Sequence, residues 1–191
     1  MTAGNGTGDS PAAGDAMAAG TSSAAGATRT VTNVVLAGLG GQGVIKASDI
    51  LADAALRAGF DVKKAEIHGM SQRGGSVTSD VRFGRKVLSP MVPRGEADYL
   101  LVLAASEVEV ARPLLRPGGV LLSPDLIPED LLPNKRSLNV ALLGALSHYL
   151  SLPPEMLLDA VRAALPERLH AINERAFETG RRLAAERATS S

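Results

Sequence analysis

Apolar residues run from Val31 to Ala37 and stop at Gly38-Leu-Gly-Gly-Gln-Gly43, after which Val44, Ala47, Leu51, Ala54 and Ala58 recur at helical spacing. This pattern predicts a short buried strand, a tight turn and an amphipathic helix. Gly59 ends the helix, because a residue without Cβ enters the left-handed region cheaply. Asp61–Ile67 then follows as a second extended segment, completing a strand–helix–strand unit. His68–Gly75 is polar and glycine-containing and reads as a loop. From Ser76 to Phe83, Val77, Ser79, Val81 and Phe83 alternate with Thr78, Asp80 and Arg82, the pattern of a strand with one wet face. Gly84-Arg85 suits a turn into Lys86–Ser89, and Pro90 and Pro93 limit that arm, so an inserted β-hairpin is expected here.

Asp98–Ala104 is too uniformly apolar for a strand with a wet face, Ser106–Leu115 has helical character, and Gly118–Ser123 is another buried run. Helical patterns follow over Leu138–Leu150, from Pro153-Pro154 through Met156, Leu157, Ala160, Val161 and Ala164, and at Ile172, Ala176, Leu183 and Ala184. The expected fold class is α/β: a single three-layer, Rossmann-like domain with a mainly parallel sheet, the inserted hairpin and C-terminal helices, over residues 30–187. Residues 1–29 are dominated by Ala, Gly, Ser and Thr, which bury too little apolar surface to offset the entropy of ordering them, and residues 188–191 lie beyond Ala184, where the helical pattern ends. Both ends are expected to be disordered tails.

Charge and cysteine content narrow the function. Twenty basic residues balance 20 acidic ones, so no overall excess attracts nucleic acid or an anionic membrane, and neither is expected as a partner. No cysteine is present, which excludes disulfides, thiolate zinc sites and Cys-ligated iron–sulfur clusters from this chain. The N-terminal region lacks the basic and apolar blocks of a secretory signal. The longest uncharged stretch, Ser137–Pro154, holds Asn139, His148 and two prolines and does not read as a membrane span. A cytoplasmic location is expected.

Two segments concentrate candidate chemistry. In Gly38-Leu39-Gly40-Gly41-Gln42-Gly43 a strand leads through glycines into a helix, where orphan amides and the helix dipole favour an anion; a purely structural tight turn fits equally. A dinucleotide site wants an acid at the end of the second strand for the ribose, but Lys63 and Lys64 stand there and Glu66 comes late, so ordinary NAD binding is disfavoured. The second segment, His68-Gly69-Met70-Ser71-Gln72-Arg73-Gly74-Gly75-Ser76, sets a guanidinium beside two glycines. It suits a phosphate or carboxylate, or an arginine tied to loop carbonyls or to another subunit. His68 fits a proton donor or a backbone-bonded loop residue; with only Glu66 near it, no metal site is expected. Ser71, Ser76 and Ser79 lie in no nucleophile elbow, and Met70 and Met91 fill gaps or cover a ligand.

Together, Gly38–Gly43, Glu66-Ile-His-Gly-Met-Ser-Gln-Arg-Gly-Gly-Ser-Val77 and Ser89-Pro-Met-Val-Pro-Arg-Gly-Glu-Ala-Asp98 resemble the gamma-type domain of the 2-oxoacid:ferredoxin oxidoreductases, with the likeness running from about Val31 to Ala185. The resemblance implies oxidative decarboxylation of a 2-oxoacid, an arylpyruvate such as indolepyruvate, to its acyl-CoA. It also implies a larger alpha subunit that carries thiamine diphosphate, magnesium and iron–sulfur clusters and passes electrons to ferredoxin, with coenzyme A as co-substrate and this chain inactive alone. No Gly-Asp-Gly sequence with a downstream Asn pair for a diphosphate–magnesium site occurs in this chain. On the family pattern Gly38, Gly40, Gly41, Gln42 and Gly43 form an anion-facing loop, Gln72, Gly74 and Gly75 face the cofactor region, and His68 and Arg73 are the catalytic candidates. Two rival readings stand beside it: a nucleotide-binding assembly subunit without catalytic residues, and a stand-alone NAD(P)-binding oxidoreductase.

Overall fold

In the computed structural model, which describes residues 1, 30–68 and 74–189 with His68 given by its backbone alone, β1 (Val31–Leu39) is the centre of a five-stranded sheet. It leads through the glycine turn into α1 (Val44–Arg57), which returns to β2 (Asp61–His68). β3 (Ser76–Gly84) wedges between β2 and β1, antiparallel to both, while β4 (Ala97–Val102) and β5 (Leu115–Leu122) extend the other side in parallel, in the order β2-β3-β1-β4-β5. Four of the five strands therefore point the same way.

The hairpin is consequently β2–β3, not β3 with Lys86–Ser89 as the sequence suggested. Residues 85–96 make no ladder because side chains satisfy their backbone instead. Asp61 accepts the Val87 N–H at 2.8 Å, Asp80 accepts that of Val92 at 2.8 Å, and the Arg82 guanidinium donates to the Ser89 and Met91 carbonyls at 3.0 Å each. The segment crosses the sheet as a strap. For the same reason β3 is not half-solvated: Asp80 is only 5% exposed beneath the strap.

The layers are unequal. Val34, Leu36, Val81, Phe83 and Leu101 face α1 and the C-terminal helices α3 (Leu138–Tyr149), α4 (Pro154–Ala164) and α5 (His170–Thr189) in the larger core. The alternate residues Val35, Ala37, Leu100 and Val102 form a smaller cluster with Ala97 and with Ala111 of α2 (Val108–Ala111), against which Val92 of the strap, Val108, Leu114 and the β5 residues Leu115 and Leu121 pack partly buried. The helix expected over Ser106–Leu115 shrinks to that one turn flanked by 3-10 turns, since Pro113 cannot continue it and Leu115 already belongs to β5. α5 continues to Thr189, two residues past the expected end of the domain. α3 is buried from Val140 to Ser147, as its all-round apolar sequence requires. It lies so close to α5 that Gly144 abuts the Phe177 backbone and Gly180 that of Ala141. No helix among the described residues is long and apolar enough to cross a membrane.

Candidate functional site

β1 ends in a turn closed twice by Gln42. Its backbone N–H donates to the Leu39 carbonyl at 3.2 Å, and its side-chain Oε1 accepts the Leu39 N–H at 2.8 Å. Gln42 thus shapes the loop rather than leaving a free amide in it. Gly41 (φ 91°) and Gly43 (φ 85°) occupy the left-handed region. Gly43 precedes α1, with no side chain capping the helix and no acid in its first turn, so the first amides of α1 point outward without intrahelical acceptors. Crowding falls on the outer two glycines: a Cβ at Gly38 would meet Leu103 at 3.1 Å, and one at Gly43 would meet Asn139 Nδ2 at 2.6 Å. At Gly40 the nearest atom among the described residues is 3.6 Å away, so none of them excludes a Cβ there.

The wedged strand brings the second sequence segment to the same place. Leu39 pairs with Ser76, the Gly40 N–H donates to the Gly75 carbonyl at 2.9 Å, and Gly74 (φ 66°) turns beside it. Ser76 Oγ donates to Glu107 at 2.7 Å, which ties this corner to the turn after β4. The backbone of His68 closes β2 opposite Val77. Gln72 and Arg73, with Gly69, Met70 and Ser71, lie outside the described residues. Gly38, Gly40, Gly41, Gln42, Gly43, Gly74 and Gly75 therefore share one corner of the sheet.

A cavity of about 450 Å³ opens on this corner, lined by Gly41, Gly43, Lys46, Lys135, Arg136 and Asn139 among others, with three cations and no acid among the described residues of its wall. A smaller chamber of about 210 Å³ shares Lys46, Arg136 and Asn139 with it. Lys135 pairs with Glu129, whereas Lys46 and Arg136 form no ion pair among the described residues. Asn134 Oδ1 holds the Arg136 N–H at 2.9 Å and so sets the basic pair against the glycine turn. Outward amides, a helix N-terminus and unpaired cations converge on one space, which is the chemistry of an anion cradle. Sequence reasoning missed Lys46, Lys135, Arg136 and Asn139. Lys46 did carry a signal, since a cation in the first turn opposes the helix dipole; the Lys135–Asn139 stretch carried none, being nearly a hundred residues from the turn it meets.

Glu66, the only acid near the ribose position, is bonded to Lys64 at 2.7 Å, and Lys64 also pairs with Asp49 of α1. Burial alone would lower the Lys64 ammonium, but hydrogen bonds and charge from both acids outweigh it and its pKa is raised. Glu66 is thereby committed to a helix–strand clamp and stands away from ribose recognition. Among the described residues no group of three His, Cys, Asp or Glu that could hold a metal ion occurs, and with no cysteine in the sequence the chain offers no thiolate to an iron–sulfur cluster.

The family model for pyruvate ferredoxin/flavodoxin oxidoreductase matches residues 33–130. Subunit IorB of indolepyruvate oxidoreductase from Thermococcus kodakarensis is 34% identical over 81% of this chain and 96% of its own length. Among solved structures, the gamma subunit of a keto/oxoacid ferredoxin oxidoreductase from Geobacter sulfurreducens superposes with a TM-score of 0.69 at 26% identity, covering 81% of this chain and 99% of that one. A 2-oxoglutarate:ferredoxin oxidoreductase from Magnetococcus marinus shares the fold with a TM-score of 0.71 at 24% identity, over 83% of this chain but 32% of its own. By sequence and fold alike, the chain belongs to the pyruvate ferredoxin/flavodoxin oxidoreductase family, as an oxidoreductase subunit of the gamma type.

Proposed function

We propose that this chain is the subunit without redox cofactors of a 2-oxoacid:ferredoxin oxidoreductase, and that its cradle holds the phosphates of coenzyme A. In the reaction an arylpyruvate such as indolepyruvate loses its carboxylate as carbon dioxide. Its acyl carbon is oxidised by two electrons that pass singly to two ferredoxins, the coenzyme A thiol forms the thioester, and one proton is released. Thiamine diphosphate, magnesium and iron–sulfur clusters belong to the larger alpha subunit in this reading, which the absence of cysteine and of a Gly-Asp-Gly motif from this sequence supports. The chain alone is accordingly inactive. The arylpyruvate assignment is supported by the indolepyruvate oxidoreductase relative, which matches along most of both chains.

The observation that carries the reading is the convergence of α1's outward amides with unpaired Lys46 and Arg136 on a cavity without acids. His68 and Arg73 remain the candidates for contact with the cofactor region of the partner.

The test is steady-state kinetics of the assembled complex bearing Lys46→Ala or Arg136→Ala. Loss of one cation–phosphate contact costs about 1–2 kcal/mol, so KM for coenzyme A rises roughly 5- to 30-fold while KM for the oxoacid is unchanged. An unchanged KM for coenzyme A in both variants refutes the assignment. A matching rise for the oxoacid would place the substrate in the cradle instead.

A further inference from the structure

A mainly parallel sheet ordinarily carries cover on both faces. Here one face carries four helices, and the other only a strap and the single turn of α2. On that thin face a trough of about 530 Å³ lies between the strap and the ends of β2 and β3, with Val35, Ile67, Thr78, Asp80, Met91 and Leu114 in its wall. Its rim is apolar and open: Ile67 is 45% and Met91 53% exposed, and Leu88 of the strap and Val110 of α2 add to the uncovered apolar surface.

At the floor stands a buried acid. Asp80 Oδ2 accepts the Val92 N–H, and Oδ1 accepts no hydrogen bond among the described residues. The neighbouring Arg82 is spent on Asn33 and on the strap's carbonyls, and exposed Arg94 at the rim forms no ion pair with Asp80. Burial pushes the Asp80 carboxyl above its usual range, against the Val92 hydrogen bond and the Arg82 charge. A carboxylate so placed is complementary to a cation brought in with apolar cover.

We propose that this trough is where the larger subunit docks, seating an apolar side chain on Ile67 and Met91 and an adjacent Arg or Lys on Asp80. The proposal rests on the subunit reading above. Two facts favour another polypeptide as the occupant: the relatives carry subunit designations, and in the Magnetococcus marinus protein this fold makes up only 32% of the chain, so other parts of that polypeptide accompany it.

The experiment co-expresses the tagged chain with the larger subunit, measures how much is retained, and determines the dissociation constant by titration. Ile67→Glu and Asp80→Asn are compared with wild type and with Leu56→Glu, an apolar position on α1 across the sheet that is more exposed than Ile67. Both trough variants should weaken the complex at least about tenfold, and Leu56→Glu should leave it unchanged. Asn keeps an acceptor for Val92, so the isolated Asp80→Asn chain should unfold at no lower denaturant concentration than wild type, which separates docking from folding. Equal retention across all variants overturns the proposal while leaving the subunit reading intact. So does a wild-type dimer of this chain alone that Ile67→Glu splits, because the trough would then be a self-contact. If wild type retains no larger subunit at all, the subunit reading itself fails.

Discussion

Replacing Gly43 by Ala tests the geometry of the turn most directly. The residue sits at φ 85°, where a Cβ costs about 1 kcal/mol or somewhat more through contact with the following carbonyl. The new Cβ would also lie 2.6 Å from Asn139 Nδ2, so the Asn139 side chain must swing away from the 2.9 Å bond it accepts from the Val140 N–H at the start of α3. Losing that bond adds about 1 kcal/mol, for a total of roughly 2–3 kcal/mol. Gly40→Ala differs in both respects: its backbone is outside the left-handed region and its nearest neighbour among the described residues is 3.6 Å away. There the narrower unfolded ensemble should leave stability unchanged or raise it by up to about 1 kcal/mol. Urea unfolding followed by circular dichroism reads both, through the midpoint at constant slope. In an Asn139→Ala background Gly43→Ala should lose its steric part, about 1 kcal/mol, and keep the dihedral part. Equal destabilisation by Gly40→Ala and Gly43→Ala would refute the assignment of the crowding to the outer end of the turn.

Two further perturbations probe the packing and the buried charge. A Cβ at Gly180 would sit 1.8 Å from the Ala141 carbonyl, and one at Gly144 would sit 2.0 Å from that of Phe177, so either Ala variant must prise α3 from α5 and lose more than about 3 kcal/mol. A fall in Tm of only a degree or two for both would contradict this contact. For Asp80 the sign follows from its raised pKa. Burial disfavours the ionised form, so the penalty is complete above the folded pKa and gone below the ordinary value of 3.8. Asp80→Asn should therefore stabilise the isolated chain at neutral pH, with an advantage that shrinks as pH falls toward 3.8; urea midpoints across that range that show a constant difference would contradict it.

Local pattern carried much of the architecture. The β1–turn–α1 unit, β4, the buried start of α3 and the proline-led α4 follow from apolar spacing and from Gly and Pro placement, and they stand where those signals put them. β3 stands where alternation put it, but its hairpin partner was misread for a physical reason. Alternation fixes which residues share a face but not which strand lies alongside, and the competing partner Lys86–Ser89 was drawn off by Asp61 and Arg82, side chains whose roles depend on a sheet already assembled. The same holds at the site. The two glycine-rich segments could each be read alone, and their junction at Gly40 and Gly75 follows only from the wedged strand. Arg136 and Asn139 meet the turn through the long return of the chain into α3, a tertiary fact without a periodic signature.

The design of α1 explains why the corner suits an anion better than a dinucleotide. A helix meant only to pack would be capped by Ser, Thr, Asp or Asn and would carry acids in its first turn, each contributing about 0.5–1 kcal/mol. This one begins with an uncapped glycine, has no early acid and places Lys46 in its first turn. All three choices weaken the isolated helix end, and all three would favour a negative group there: the amides stay uncovered, the dipole is unscreened, and the lysine adds a full charge. The acid nearest the ribose position, Glu66, is paired with Lys64 on the same strand, β2. Local stability is given up at the turn, where the helix end is left open to an anion, and kept on β2, where Lys64 holds Glu66; that division is what the proposed role of holding the tail of a co-substrate would require.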